Sequence, residues 1–174
     1  MTGKDFLNRV ANGEIDFVQL LLSVLDETDA AYCLIGGLAV NAYAEPVVSL
    51  DLDVVVVSDR LDAVRSAAEA RGMTVEDFEH RINLSAPGSD LRVQLQTDPR
   101  YQGFVPRARR RNVLGYEMAV ACPEDVLRGK VWAYSDETRR PSKRQKDLAD
   151  VMRLVETHPE LRDLLPPDIA AKID

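Results

Sequence analysis

Residues 49–57 read Ser49-Leu50-Asp51-Leu52-Asp53-Val54-Val55-Val56-Val57, and they follow a second telling stretch, Leu34-Ile35-Gly36-Gly37-Leu38-Ala39-Val40. A run that ends in β-branched residues reads as a buried strand. Side chains alternate across a strand, so Asp51 and Asp53 emerge on one face with Cα atoms roughly 6.6 Å apart. Like charges at that spacing repel, and carboxylates in an apolar strand are costly unless something partners them. A divalent cation is the usual partner for such a dyad.

The glycine pair fits the same picture. A strand-Gly-Gly-helix turn lets the backbone approach a ligand closely and offers free helix N–H groups to phosphate oxygens. By itself such a pair also serves plain tight turns. Ahead of an Asp-x-Asp strand it becomes half of a constellation, a phosphate cradle beside a metal dyad.

The rest of the chain arranges itself around these two stretches. Phe17, Leu20, Leu21, Val24 and Leu25 recur at helical spacing and predict an amphipathic helix. Tyr32 to Ile35 is a short strand running into the glycines, and Leu38 to Tyr43 reads as helix stopped before Pro46. A charged helix from Arg60 to Arg71 ends at Gly72. His80 to Ser85 and Leu91 to Thr97 are strands joined by a hairpin turn at Pro87-Gly88-Ser89. Arg100 to Asn112 reads as irregular and basic, and Val113 to Ala121 as one further strand. Pro123, with Glu124 and Asp125 behind it, opens a helix through Tyr134. Ser142 and Gln145 predict a capping box for a second helix ending near His158-Pro159, and short Pro-broken helices close the chain. The expected fold class is α+β: a small mixed β-sheet flanked by helices over residues 1–122, with a helical C-terminal part, 123–174, packed on that core.

A chain of 174 residues, 45% hydrophobic and 29% charged, suits one domain or a core domain with a small appendage. Its net charge of -7 excludes a general nucleic-acid coat but leaves room for a local basic groove. The only cysteines, Cys33 and Cys122, sit in apolar surroundings without metal-ligand spacing and read as reduced core residues of a cytoplasmic protein. Met1-Thr2-Gly3-Lys4-Asp5 lacks a signal-peptide pattern, and no apolar run approaches membrane-spanning length, so no membrane partner is expected.

Gly36-Gly37, a short helix, and Ser49-x-Asp51-x-Asp53 resemble the signature of the DNA polymerase beta-type nucleotidyltransferase superfamily. Pro123-Glu124-Asp125, Lys130 and Lys146-Asp147-x-x-Asp150 are similar to the C-terminal motifs of its AbiEii/AbiGii toxin-like branch, so the matches span about residues 33 to 155. The resemblance implies a nucleotidyltransferase-like core in which Asp51 and Asp53 bind Mg²⁺ carrying the triphosphate of an NTP. It implies that Gly36 and Gly37 contact those phosphates, with Ser49 and Lys146 beside them. Lys130 and Asp147 complete the catalytic set, the lysine neutralising a phosphate. The implied partners are NTP, tRNA or another RNA as acceptor, and a cognate antitoxin protein, in a toxin-like or phage-defence role.

The departures from the pattern carry an alternative. Many members have a third carboxylate on a neighbouring strand, and Leu91 to Thr97 offers Gln94 there. A glutamine carbonyl can ligate a hard cation but brings no charge. Asp90 and Asp98 lie roughly 13 Å from Gln94 along the strand. Val47 and Val48 occupy the place of an arginine common in relatives. These differences point to a catalytically degenerate nucleotide- or RNA-binding module.

Two basic clusters stand out on an acidic chain: Arg107, Arg109, Arg110 and Arg111, with Arg100 and Tyr101 upstream, and Arg139 to Lys146. The second places cations at a helix N-terminus, where the dipole disfavours them and a bound anion would relieve them. Both suit contacts to an RNA backbone. The bland alternatives are solvated loops and the i,i+4 pairs Lys143–Asp147 and Lys146–Asp150. His80, His158 and Tyr43 read as structural, and Trp132 as a packing anchor.

Overall fold

The computed structural model describes residues 1–174. Helices α1 (Gly3–Val10) and α2 (Phe17–Glu27) lead into strand β1 (Tyr32–Ile35), which breaks at the glycine pair into the short helix α3 (Gly36–Val40). The aspartate strand is β2 (Asp51–Val56), followed by α4 (Leu61–Ala70). Strands β3 (Thr74–Phe78), β4 (Arg81–Ser85) and β5 (Arg92–Gln96) come next, then a 3-10 segment, Pro99–Arg107. The hairpin β6 (Arg109–Val113) and β7 (Tyr116–Val120) leads into helices α5 (Pro123–Ser135), α6 (Pro141–Thr157) and α7 (Pro167–Ala170).

All strands join one mixed sheet in the order β3-β4-β5-β2-β1-β7-β6. The aspartate strand lies centrally, antiparallel to β1 and parallel to β5. Its even positions, Leu52, Val54 and Val56, are buried in the same core cluster as Phe17 and Leu21 of α2 and Val64 of α4. Its odd positions, Asp51 and Asp53, face the other way, toward α3, α5 and α6. The expected α+β class, a mixed sheet flanked by helices, is the observed one. One core cluster runs from Leu7 to Ile169 and includes Val126 and Leu127 of α5 and Val151 and Leu154 of α6.

Four local expectations are corrected. Thr74–Phe78 is an edge strand that periodicity does not reveal, because most of its side chains are exposed and no apolar alternation is needed. Arg109–Val113 is also a strand, although the stretch from Arg100 reads as irregular. Val113 to Ala121 is not one strand: Leu114 and Gly115, at φ 51 and 88°, form a two-residue turn that splits it into a hairpin. Finally, α6 starts with Arg140 as N-cap and Pro141 in its first turn, with no side-chain cap, so the Ser142–Gln145 capping box does not form.

Candidate functional site

Strand register builds the floor of a cleft. Asp53 pairs with Gln94 on β5, Gln94 pairs with Asn83 on β4, and Asp51 pairs with Arg92, so each pair shares a face. The cleft has a volume of about 450 Å³ and brings Gly36, Asp53 and Gln94 of the sheet layer against Lys130, Arg139 and Asp147. Trp132, Arg100 and the β3–β4 turn residues Glu79 and His80 form its outer rim.

Gly36 is required where it stands. Its φ of +73° is a left-handed conformation, and a Cβ there would collide with Asp53 Oδ2. The turn therefore lays bare backbone directly on the Asp53 carboxyl. Burial pushes that carboxyl up, and Asp51 and Asp147 add to the rise, outweighing the opposing pull of Lys130 and Arg139. No hydrogen bond contributes to its stabilisation. Asp53 is thus a carboxylate in a crowded place with charge near it but no direct partner.

Asp51 differs. Its Oδ1 lies 2.9 Å from Arg92 Nε and its Oδ2 accepts a hydrogen bond from Lys143 Nζ at 3.1 Å. Burial pushes it up, but the hydrogen bond and charge of Lys143, with Arg92 behind them, hold the carboxyl below the usual range. The Arg92 contact is poorly aligned, so Oδ1 is buried without a true hydrogen bond. Ser49 is spent locally, its hydroxyl bonding the Asp51 backbone N–H at 3.2 Å.

Lys130 and Asp147 meet. Lys130 is buried, with Nζ 2.9 Å from both Asp147 Oδ1 and Asp150 Oδ2. Burial pushes the lysine down, but the two aspartates outweigh it and raise its pKa, so it stays charged. Arg139 Nε donates to Asp147 Oδ2 at 2.7 Å, and Arg153 Nη1 donates to Asp150 Oδ1 at 2.7 Å. The i,i+4 pairs expected along α6 are therefore replaced: Lys143 reaches back to the sheet, and both aspartates turn inward to Lys130. Lys146 is exposed on α6 and outside the cleft lining.

Arg92 and Arg153 carry no sequence motif that marks this role, and although Asp150 belongs to the Lys146-Asp147-x-x-Asp150 motif and Arg139 to the second basic cluster, neither pattern names the partner the structure gives it. Trp132 packs as expected, stacked on Phe104 at 5.5 Å and edge-on to Tyr101 at 5.1 Å, while also bordering the cleft. Much of the basic character is neutralised internally. Arg107 pairs with the fully buried Asp125, Arg100 with Asp98, and Arg144 donates to the Tyr134 carbonyl. Arg109, Arg110 and Arg111 stay exposed on edge strand β6, with Arg111 over the Tyr43 ring. That ring lies by the C-terminal end of α6, where His158 Nε2 meets the Tyr43 carbonyl at 2.9 Å. The two basic clusters thus lie toward opposite ends of a helix about 25 Å long.

The donor set fits a divalent cation carried with phosphate. Asp53 has no partner and Asp51 has an oxygen without a hydrogen bond, both on one strand face. No group of three or more His, Cys, Asp or Glu side chains could hold a metal ion. Two carboxylates with the remaining ligands supplied by phosphate and water is how Mg²⁺ is commonly held.

No protein-family model matches the chain, and no curated protein matches it in sequence. Solved structures do. The antibiotic-resistance factor ANT(2'')-Ia, in complex with adenylyl-2''-tobramycin, is similar at 16% identity and a TM-score of 0.66, over 90% of this chain and 94% of that one. The lincosamide antibiotic adenylyltransferase LnuA, lincomycin-bound, is similar at 12% identity and a TM-score of 0.55, over 79% of this chain and 95% of that one. An antigenic nucleotidyltransferase-like protein from Paracoccidioides brasiliensis is similar at 18% identity and a TM-score of 0.53, over 97% and 92%. The chain therefore has a nucleotidyltransferase-like fold.

Proposed function

We propose that this protein is a divalent-metal-dependent nucleotidyltransferase that moves a nucleoside monophosphate from an NTP to an acceptor. The observation that carries the reading is Asp53, an unpartnered carboxylate at the floor of a cleft, covered by a glycine turn and faced by the buried cation Lys130. Asp51 and Asp53 would hold Mg²⁺ or Mn²⁺, whose chemistry when bound is to neutralise the triphosphate and the charge that builds on it. Lys130 and Arg139 add positive charge on the helix side of the cleft. Both are already fixed by Asp147, so they need little reorganisation when phosphate charge develops. The Gly36-Gly37 turn gives the phosphates room and backbone N–H groups. In the transfer, an acceptor oxygen bonds to the α-phosphorus, the bond to the bridging oxygen breaks, and pyrophosphate leaves.

The AbiEii/AbiGii resemblance implies tRNA or another RNA as acceptor, a toxin-like or phage-defence role, and a cognate antitoxin. The exposed arginines of β6 support phosphate-backbone contact. The second reading, a degenerate nucleotide- or RNA-binding module, draws on two facts. Gln94 stands beside Asp53, where it can hydrogen-bond but accepts no proton at neutral pH. Arg92 and Lys143 already occupy Asp51. Incubation with each α-labelled NTP, Mg²⁺ and total tRNA, against an Asp53→Ala control, separates the readings. Label transfer that the substitution abolishes supports the enzyme. Metal-dependent nucleotide binding without transfer supports the module, and absence of both removes the reading.

A further inference from the structure

The candidate site is split between two layers. Asp51 and Asp53 ride on the sheet, whereas Lys130 and Asp147 ride on helices. A site that works by positioning needs that separation held to roughly 0.5 Å. One link between the layers, Lys143 to Asp51, is partly exposed. A second is longer and starts from the buried Lys130–Asp150 pair.

Asp150 is 3% exposed, and each of its oxygens meets a cation, Lys130 on one side and Arg153 on the other. Arg153 carries the connection onward: its Nη2 donates to Asn41 Oδ1 at 2.9 Å and to the Glu45 carbonyl. Asn41 in turn clamps the loop between α3 and β2. Its Nδ2 donates to the Val47 carbonyl at 2.8 Å, and its Oδ1 accepts from the Val47 N–H at 3.0 Å. That loop runs directly into Asp51. A continuous set of polar contacts therefore leads from Lys130 through Asp150, Arg153 and Asn41 to the chain entering the aspartate strand.

We propose that Asp150 and Arg153 are positioning residues for the nucleotide site, setting Lys130 relative to Asp51 by bracing α6 on the α3–β2 loop. The proposal rests on the nucleotidyltransferase reading. Neither residue lines the cleft, so each acts through others. The guanidinium fork is central: one nitrogen serves the carboxylate and the other serves the loop. A lysine could neutralise Asp150 but has a single nitrogen and cannot span both partners.

The test uses the full chain, with Arg153→Lys, Asn41→Ala and the double variant. Affinity for each of the four NTPs with Mg²⁺ is read by calorimetry, and thermal unfolding is followed without nucleotide. Arg153→Lys keeps the charge on Asp150 balanced, so it is expected to fold with a near-wild-type Tm. NTP affinity is expected to fall about tenfold in each single variant, with little further loss in the double, as for residues of one connected set. Wild-type affinity in the folded variants overturns the proposal. So does a lower Tm without weaker binding, which is the mark of a purely structural role. Losses that add in the double variant also overturn it. If the wild type binds none of the four NTPs, the nucleotidyltransferase reading itself fails, and the bracing role falls with it.

Discussion

The sheet and the helix layer around the cleft hold their charges in different ways. On the helix side, Lys130, Arg139, Asp147, Asp150 and Arg153 each lie within hydrogen-bond or ion-pair distance of an opposite charge, although Asp150 Oδ2 and Arg153 Nε make no hydrogen bond. On the sheet, Asp53 has no such partner, and Asp51 is held by residues reaching in from Arg92 and Lys143. The helix side balances its charges among its own residues. The sheet side leaves Asp53 without a partner, and under the proposed function a cation with its phosphates would supply one.

Removing Lys130 is the strongest way to break this contrast. Lys130→Ala leaves Asp147 and Asp150 buried with one cation fewer, and we predict a loss of about 3–5 kcal/mol in urea unfolding. A smaller loss would mean that water already solvates the pair. Next comes Gly36→Ala. A left-handed backbone at a non-glycine residue costs about 1–3 kcal/mol, and the new methyl must also displace Asp53. The urea midpoint is expected to fall, and Mg²⁺-dependent NTP binding to disappear in the folded fraction.

Asp53→Asn should act with the reverse sign on stability. Removing an unpartnered charge from this site is expected to stabilise the fold by about 1 kcal/mol at pH 7, as functional groups often do when deleted, while abolishing nucleotidyl transfer. The gain depends on pH. Because the folded state raises the pKa of Asp53, its ionised form costs stability at neutral pH, and that cost fades as pH falls through the raised pKa. Melting curves of wild type and Asp53→Asn should therefore converge on acidification, and a constant gap would count against the burial argument. Asp51 runs the other way. Its lowered pKa gives stability that is present above the ordinary carboxylate pKa and lost only as pH falls through the folded value.

The smallest effect belongs to the contact that joins the halves. Lys143→Ala removes a partly exposed pair and is expected to cost no more than about 1 kcal/mol, diminishing with added salt. A larger, salt-insensitive cost would move Lys143 into the buried unit and blur the comparison.

The same contrast explains what the sequence reveals. Asp51, Asp53 and the glycine pair are legible because their meaning is local: a period of two, a β-branched run, and a turn that needs glycine. The two buried aspartates of α6 are misread by local rules, which pair them with Lys143 and Lys146 along their own helix. Their real partner is Lys130, on the preceding helix, and only the family resemblance places Lys130 and Asp147 together. Arg92 and Arg153 act through contacts far apart in sequence, which no spacing encodes. The strands β3 and β6 escape notice for a related reason. Lying at the two edges of the sheet, they carry charge where an interior strand would carry alternating apolar residues.

Gly36 and Asp53 also bear on how this chain can change over generations. With a carboxylate oxygen lying where the first carbon of any other side chain would go, the glycine cannot drift while the aspartate stays. Losing the aspartate, by contrast, removes that collision but not the left-handed backbone, so residue 36 still favours glycine. Decay of the site is therefore a downhill path in stability whose first step falls at residue 53. Folding accounts for the glycine, whereas the unpartnered charge of Asp53 is one that folding does not need.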